Sequence, residues 1–171
     1  MDGKTFARQI LPNGKAGMFT EGPGNNTRDI MVLRVGNLWH GYYTAYPNRQ
    51  GAVYARTSKN LRDWSPSRKV AFGGSAGTGQ GSAECPFVYY HKDSGFYYLF
   101  RTQRYGQNAE SSVYRSKNPL DFGIDDDRYL VCRMPLAAPE IVEHEGSLYM
   151  AALLPSLKGI QIARLKFVSK P

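Results

Sequence analysis

The sequence lacks several features that would place it in other classes of protein. Its 171 residues contain only two cysteines, Cys85 and Cys132, which is too few for a disulfide scaffold or a four-thiolate zinc site. No apolar run approaches the roughly 20 residues that a membrane-spanning helix needs, so we expect no membrane insertion. The first ten residues carry no apolar stretch typical of a secretory signal, which predicts a cytoplasmic protein from the sequence as given.

Helix signals are also nearly absent. No window keeps apolar residues at helical spacing without an interrupting glycine or proline. Short runs rich in tyrosine, valine, phenylalanine and threonine occur instead, separated by glycine, asparagine, aspartate and proline. A hydrophobic content of 42% is enough for a core, and the length suits one domain. The chain is therefore predicted to be a single all-β domain.

The net charge of +8 raises the question of an anionic partner. The cations are scattered along the chain, which is typical of a solvated surface and does not favour nucleic-acid binding. An anionic ligand held by this charge stays open as a minor alternative, and a strong dependence of binding on salt would distinguish it.

A unit of short strands occurs three times along the chain. Val32, Val88 and Val142 mark the same place in each unit, at spacings of 56 and 54 residues. Four strands at this period are typical of a blade of a β-propeller. The predicted blades are about 28–72, 84–132, and 138–171 plus 2–12.

The third unit has no fourth strand at its C-terminal end, whereas the N-terminus has a segment to spare. We therefore expect residues 7–11 to supply that strand. The predicted fold is an all-β β-propeller with three four-stranded blades, the last closed by the N-terminal strand. Because propellers usually have about four to eight blades, the alternative is that the chain forms part of a larger ring, in which case it would self-associate.

An acidic residue lies near the start of the first strand in each unit. These residues are Asp29, Glu84 and Glu140. First strands line the central channel of a propeller, so we expect the three carboxylates to converge. Paired carboxylates with different proton affinities are what glycoside hydrolysis uses, and these three residues are the predicted catalytic groups. The alternative is structural, with each acid bonded to loop amides or to an arginine such as Arg28.

Polar and aromatic side chains next to the predicted first and second strands favour a sugar site. The predicted substrate-binding residues are Asn26, Arg28, Arg101, Gln103 and Arg104, with Tyr105 beside them. The three histidines show no metal spacing, and the acidic run 125–127 is interpreted as a solvated turn, although calcium is conceivable there. We expect no metal and no cofactor.

The segments 27–32, 83–88 and 138–142 resemble the β-propeller glycoside hydrolases of families 32 and 43. The Arg28-Asp29 and Glu84-Cys85-Pro86 motifs are most similar to those of the β-fructosidases and invertases, and the resemblance covers about residues 20–165. It implies a carbohydrate partner and hydrolysis of a β-fructoside or related glycoside. It further implies that Asp29 stabilises the transition state and that Glu84 is the general acid/base.

The sequence departs from that family in three ways. The family has five blades, and three are visible here. Its nucleophile is an aspartate in an Asn-Asp-Pro-Asn-Gly motif, whereas segment 11–14 has no aspartate, and Ile30 replaces the proline of Arg-Asp-Pro. Glu140 could act instead only if the ring placed it roughly 5–10 Å from Glu84. The alternative is a non-catalytic propeller that binds a glycan or assembles with partners after loss of the nucleophile blade.

Overall fold

A computed structural model describes residues 4–11, 14–22 and 26–168. In these residues it contains eleven β-strands, three single-turn 3₁₀ helices and no α-helix. None of the described helices is long and apolar enough to span a membrane. The prediction of an all-β chain is confirmed.

The strands form three antiparallel sheets in chain order. The first sheet contains β1 (Thr27–Val35), β2 (Leu38–Ala45), β3 (Ala52–Ser58) and β4 (Arg68–Ala71). The second contains β5 (Glu84–His91), β6 (Phe96–Arg104), β7 (Glu110–Ser116) and β8 (Leu130–Met134). The third contains β9 (Ala137–His144), β10 (Ser147–Leu153) and β11 (Ile160–Leu165). The 3₁₀ turns are Pro47–Arg49, Gly74–Ala76 and Gly106–Asn108.

The first hairpin of each sheet has a glycine in its turn. Gly36, Gly95 and Gly146 have φ of 55°, 68° and 69°. Such left-handed backbone is accessible to glycine at no steric cost. The turns differ in length, since two residues separate the strands of the first and third hairpins and four separate those of the second.

Each first strand also carries an extra residue relative to its partner. The register with the second strand shifts between Arg28 and Met31 in β1 and between Glu84 and Phe87 in β5, and β9 has the same irregularity opposite 151–153. A bulge of this kind bends the strand and redirects its side chains. It therefore determines where the side chains at the start of each first strand point.

Apolar side chains fill the spaces between successive sheets. Between the first and second sheets the buried residues include Tyr42, Val53, Val70, Leu99 and Phe122. Between the second and third sheets they include Tyr98, Phe100, Val113, Ile141 and Met150. Burial of these side chains supplies the main favourable free energy for packing the sheets.

Threonines on the second strands tie each sheet to the start of the next. The Thr44 hydroxyl donates a hydrogen bond to the carbonyl of Ala83, just before β5. The Thr102 hydroxyl accepts a bond of 2.9 Å from the Ala138 amide at the start of β9. These two threonines have the same register position, since Thr44 pairs with Arg28 and Thr102 pairs with Glu84. The first strand of each following sheet is thereby fixed in place.

The third sheet has three strands, and the predicted N-terminal strand is not observed. Residues 4–11 form no strand and are mostly exposed, with Phe6 at 89%. The remaining residues of the predicted segment 2–12, namely 2, 3 and 12, lie outside the described residues. No closed ring is found in the described chain.

The stretch of chain after the N-terminal segment is anchored on the first sheet. The Leu11 carbonyl accepts a 2.9 Å bond from the Gly14 amide. Phe19 packs on Tyr43 of the first sheet, with ring centroids 5.0 Å apart. The segment 14–22 therefore covers the outer face of the first sheet.

Candidate functional site

Two of the three predicted carboxylates meet at one guanidinium group. Nε of Arg28 lies 3.2 Å from Oε2 of Glu84 and 3.6 Å from Oδ2 of Asp29. Nη2 of Arg28 bonds the second oxygen of Glu84. Because both carboxylates contact the same nitrogen, Oδ2 of Asp29 and Oε2 of Glu84 are within about 7 Å of each other. Arg28 thus joins the first strands of two sheets.

The bulges of β1 and β5 bring these groups together. Asp29 and Cys85 have left-handed backbone, with φ of 57° and 43°, at the same place in each bulge. The Cys85 amide donates a bond of 3.2 Å to Oδ2 of Asp29. The two bulges are therefore hydrogen-bonded to each other, which holds the Asp29 carboxylate beside the Arg28–Glu84 pair.

Two tyrosines lie beside this group at corresponding positions. Tyr46 follows β2 and Tyr105 follows β6, each directly before a 3₁₀ turn. The Arg28 guanidinium carbon lies 5.3 Å from the centre of the Tyr46 ring, and the Tyr105 hydroxyl lies 3.3 Å from Sγ of Cys85. Tyr46 is absent from the sequence-based candidates, and its only signal is its match to Tyr105 in the repeat. We call Arg28, Asp29, Tyr46, Glu84, Cys85 and Tyr105 the Arg28 site.

The protonation states at the Arg28 site depend on its burial and charges. Burial would lower the pKa of Arg28, but the hydrogen bond and charge of Glu84, with the charge of Asp29, outweigh it and raise that pKa. Burial raises the pKa of the Cys85 thiol and, more strongly, that of the Tyr105 phenol. Near neutral pH the site presents a guanidinium, a phenol and a thiol, and Cys85 is not an activated nucleophile.

The third predicted acid does not occupy a corresponding position. In the observed register Glu84 corresponds to Arg28 and to Ala137, whereas Glu140 corresponds to Phe87. Glu140 is exposed on β9. The three acids therefore lie at three different register positions, since Asp29 corresponds to Cys85 and the same bulge is present in all three first strands. A catalytic role for these acids stays a prediction.

The predicted substrate-binding residue Arg101 is buried, with 1% of its surface exposed. Its guanidinium donates to the carbonyls of Ser82 at 2.7 Å, Gly77 at 2.8 Å and Gly73 at 3.3 Å. It therefore holds the glycine-rich loop 73–82 against the second sheet. These contacts give Arg101 a structural role, and its predicted part in substrate binding stays a prediction.

Gln103 and Arg104 are both engaged by their own sheet. Nε2 of Gln103 donates to Ser112 Oγ at 2.8 Å and to Glu110 at 3.2 Å, and Nη2 of Arg104 donates to Glu110 at 2.7 Å. Nε of Arg104 also donates to the Asn108 carbonyl at 3.2 Å, and none of these hydrogen bonds joins the two side chains to the Arg28 site. Asn26 is exposed immediately before β1, two residues from Arg28.

Within the described part of the chain, no group of three or more histidine, cysteine, aspartate or glutamate side chains is arranged to hold a metal ion. The acidic residues of the 125–127 turn contact backbone groups instead. Asp127, for example, accepts bonds of 3.0 and 3.1 Å from the Ser75 amide. Through these hydrogen bonds the turn holds the glycine-rich loop 73–82 in place.

Comparison with solved structures places this architecture among known folds. An exo-β-1,3-galactanase from Phanerochaete chrysosporium superposes with a TM-score of 0.66 at 15% identity, over 94% of this chain and 38% of that one. A family 32 β-fructofuranosidase from Bombyx mori gives 0.51 at 17% identity, over 84% and 31%. A glycosyl hydrolase from Bacteroides ovatus gives 0.52 at 14% identity, over 84% and 49%.

The chain shares part of the fold of the propeller glycoside hydrolases. The resemblance stated from the sequence motifs is thereby confirmed at the level of fold. The chain spans less than half the length of these three enzymes. No family model matches the sequence, and no curated protein matches it.

Proposed function

We propose that the protein binds a carbohydrate at the Arg28 site. The observation that supports this is the meeting of Arg28, Asp29 and Glu84 at the paired bulges of two neighbouring sheets. A guanidinium offers several donors and a carboxylate several acceptors, which suits a ligand whose surface is covered by hydroxyl groups. The structures with the same fold include a galactanase solved with galactose and a fructofuranosidase solved with sucrose.

The tyrosines give the proposed site an apolar component. Sugar rings have apolar faces, and aromatic side chains beside a few well-placed polar groups are typical of small-ligand sites. Tyr46 lies against Arg28, and Tyr105 lies against Cys85. A bound sugar would contact these rings while its hydroxyls exchange bonds with the Arg28–Glu84 pair.

Binding without hydrolysis agrees best with the geometry. A general acid must carry a proton before it can donate one to the leaving oxygen. Glu84 instead accepts two hydrogen bonds from the Arg28 guanidinium, an arrangement that its ionised form makes. Glu140, the suggested substitute nucleophile, is exposed on β9 and does not correspond in register to the other two acids. The proposal is therefore a glycan-binding propeller.

Hydrolysis of a β-fructoside or related glycoside is the second candidate. It is favoured by the approach of the Asp29 and Glu84 oxygens to within about 7 Å, since paired carboxyl groups in glycosidases lie roughly 5 to 9.5 Å apart. In this candidate Glu84 is the acid/base and Asp29 is the nucleophile or stabiliser. Substrate would have to displace the Arg28 guanidinium from Glu84 before proton transfer.

Titration of the protein with fructosides and galactosides, followed by calorimetry, tests the proposal. We expect saturable binding that falls at least ~10-fold in Arg28→Met and Glu84→Gln, because each change removes a charged hydrogen-bonding partner. Arg104→Met, which removes a cation outside the site, is the control and should bind like the parent. Absence of binding to every sugar, or equal loss in all three variants, would contradict the proposal.

Release of an aryl alcohol from the matching aryl glycosides separates the two candidates. Glycan binding alone predicts no release above the uncatalysed rate. A turnover that disappears in both Asp29→Asn and Glu84→Gln would establish hydrolysis instead, because each of those variants removes one carboxylate of the pair.

A further inference from the structure

A cleft of about 740 Å³ lies over the outer half of the second sheet, on the side that faces the third sheet. Its floor is apolar and comes from all three outer strands of the second sheet, including Phe96, Phe100, Val113 and Met134. Phe167, after β11, forms the opposite wall. The cleft is separate from the Arg28 site, none of whose residues line it.

The corresponding region of the first sheet is covered by an extended segment of this chain, residues 119–125, which we call the strap. Phe122 of the strap is fully buried, and its amide donates a 2.8 Å bond to the Val70 carbonyl of β4. Ile124 forms a parallel bridge with Phe72, and the Pro119 carbonyl accepts a 2.9 Å bond from the Tyr42 hydroxyl. The strap thus seals the first junction between sheets with one aromatic anchor and with backbone bonds.

The second junction has no counterpart of the strap among the described residues. Val53 pairs with Ala71 as Ser111 pairs with Met134, so Ala71 of β4 and Met134 of β8 occupy corresponding positions. Ala71 is fully buried, whereas Met134 is only partly buried and lines the cleft. The third sheet ends at β11, and no described strand pairs with the outer edge of β8. Within the described residues, the cleft is therefore the unfilled counterpart of the site that the strap occupies on the first sheet.

The charges around the cleft indicate what would fill it. Its cationic lining residues are Arg115, Lys117, Arg128 and Lys166, and no aspartate or glutamate lines it. Arg115 and Lys117 lie 4.6 and 5.5 Å from the centre of the Phe96 ring, and Arg128 also contacts Asp121 and Asp126 at 3.5 Å. An occupant with apolar side chains for the floor and acidic side chains for the rim would complement this surface.

We propose that this cleft is a docking site for an extended, acidic segment of a second polypeptide that inserts an aromatic side chain over Met134. The strap and the turn after it show the required chemistry, because residues 119–127 read Pro-Leu-Asp-Phe-Gly-Ile-Asp-Asp-Asp. A buried aromatic anchor supplies much of the affinity at such interfaces, while rim charges set orientation and association rate. The docked segment would cover the outer half of the second sheet as the strap covers that of the first.

A fluorescent synthetic peptide of residues 119–127, titrated against the full chain, tests this proposal. We expect saturable binding that weakens at least ~10-fold in the double variant Arg115→Glu with Lys117→Glu, and by a similar factor when the peptide's phenylalanine is replaced by alanine. The matched control is Arg133→Glu. Arg133 lies on β8 between two residues that line the cleft but does not itself line it, so this change should alter the affinity for the peptide less than ~2-fold. Circular dichroism checks that each variant is folded.

Cys132 gives a second, local measurement because it lines the cleft, whereas Cys85 belongs to the Arg28 site. Bound peptide should slow alkylation of Cys132 and leave that of Cys85 unchanged. The proposal is overturned if the peptide does not bind, or if it binds without responding to the Arg115 and Lys117 changes. It is equally overturned if decanoate, tested as an alternative apolar and anionic ligand, protects Cys132 from alkylation and the peptide does not. The same holds if Cys132 is already protected in a dimer of this chain.

Discussion

At the scale of single residues, Arg101 shows how one side chain can hold a loop. Its guanidinium is buried beneath the glycine-rich loop and satisfies three backbone carbonyls that would otherwise lack donors. Burial lowers the pKa of Arg101, and the hydrogen bonds it donates are what make a buried cation tolerable there. Its role is therefore structural.

Replacing Arg101 by alanine should destabilise the protein by about 3 kcal/mol or more, because several buried carbonyls lose their partners. Arg104→Ala is the matched control on the same strand. The Arg104 side chain is 58% exposed and pairs with Glu110, so its loss should cost less than about 1 kcal/mol. Urea unfolding of both variants measures the difference, and similar losses in the two would contradict this account.

The sequence could predict some of these residue roles and not others. Asp29 and Glu84 stand next to recognisable motifs, and their approach is expected from the repeat. The burial of Arg101 could not be predicted, because an arginine in a strand is expected to be exposed to solvent unless the loop that covers it is known. The register position of Glu140 depends on which residue of β10 it pairs with, and local composition does not show that pairing.

At the scale of elements, segment 14–22 is held on the first sheet by the hydrogen bonds of one partly buried carboxylate. Glu21 accepts bonds from the hydroxyls of Tyr43 at 2.6 Å and Ser67 at 2.7 Å, and from Arg56 at 3.0 Å. Burial alone would raise the pKa of Glu21, but these bonds and the charge of Arg56 outweigh it and leave that pKa lowered. The ionised carboxylate therefore stabilises the docked segment.

The lowered pKa of Glu21 predicts a pH dependence of stability. A carboxyl group whose pKa is lowered by folding contributes stability above its unfolded value of about 4.5, and this contribution is lost as pH falls through the lowered folded value. The difference in unfolding free energy between the parent and Glu21→Gln should therefore shrink between pH 6 and pH 3. Tyr43→Phe removes one hydrogen-bond donor to Glu21, so its unfolding free energy should lie between those of the parent and of Glu21→Gln. Urea unfolding across that range measures it, and a constant difference would contradict the assignment.

The strands were predictable as elements, but their partners were only partly so. Short apolar runs between glycine-containing turns predicted the first strands, which are observed as β1, β5 and β9. The expected strand at residues 7–11 is wrong, because local composition does not show whether a segment pairs with a strand that is distant along the chain. Pairing over that distance is decided by tertiary contacts.

At the scale of the whole molecule, three like sheets follow one another and leave the last junction partly uncovered. The repeat in the sequence predicted their number and order, since each unit needs its neighbour to bury an apolar face. Closure into a ring was not predictable, because it requires a match between surfaces at the two ends of the array. The cleft over β8 lies open between the second and third sheets of the described chain.

The central claim is that the bulges of two neighbouring first strands build one carbohydrate site around Arg28. The most direct measurement is the ¹⁵Nε resonance of Arg28 during titration with a fructoside or galactoside that binds. The account predicts a saturable shift of that resonance, with the same midpoint as binding, while the Nε resonance of Arg104 stays in place. A sugar that binds with the Arg28 resonance unmoved would contradict it.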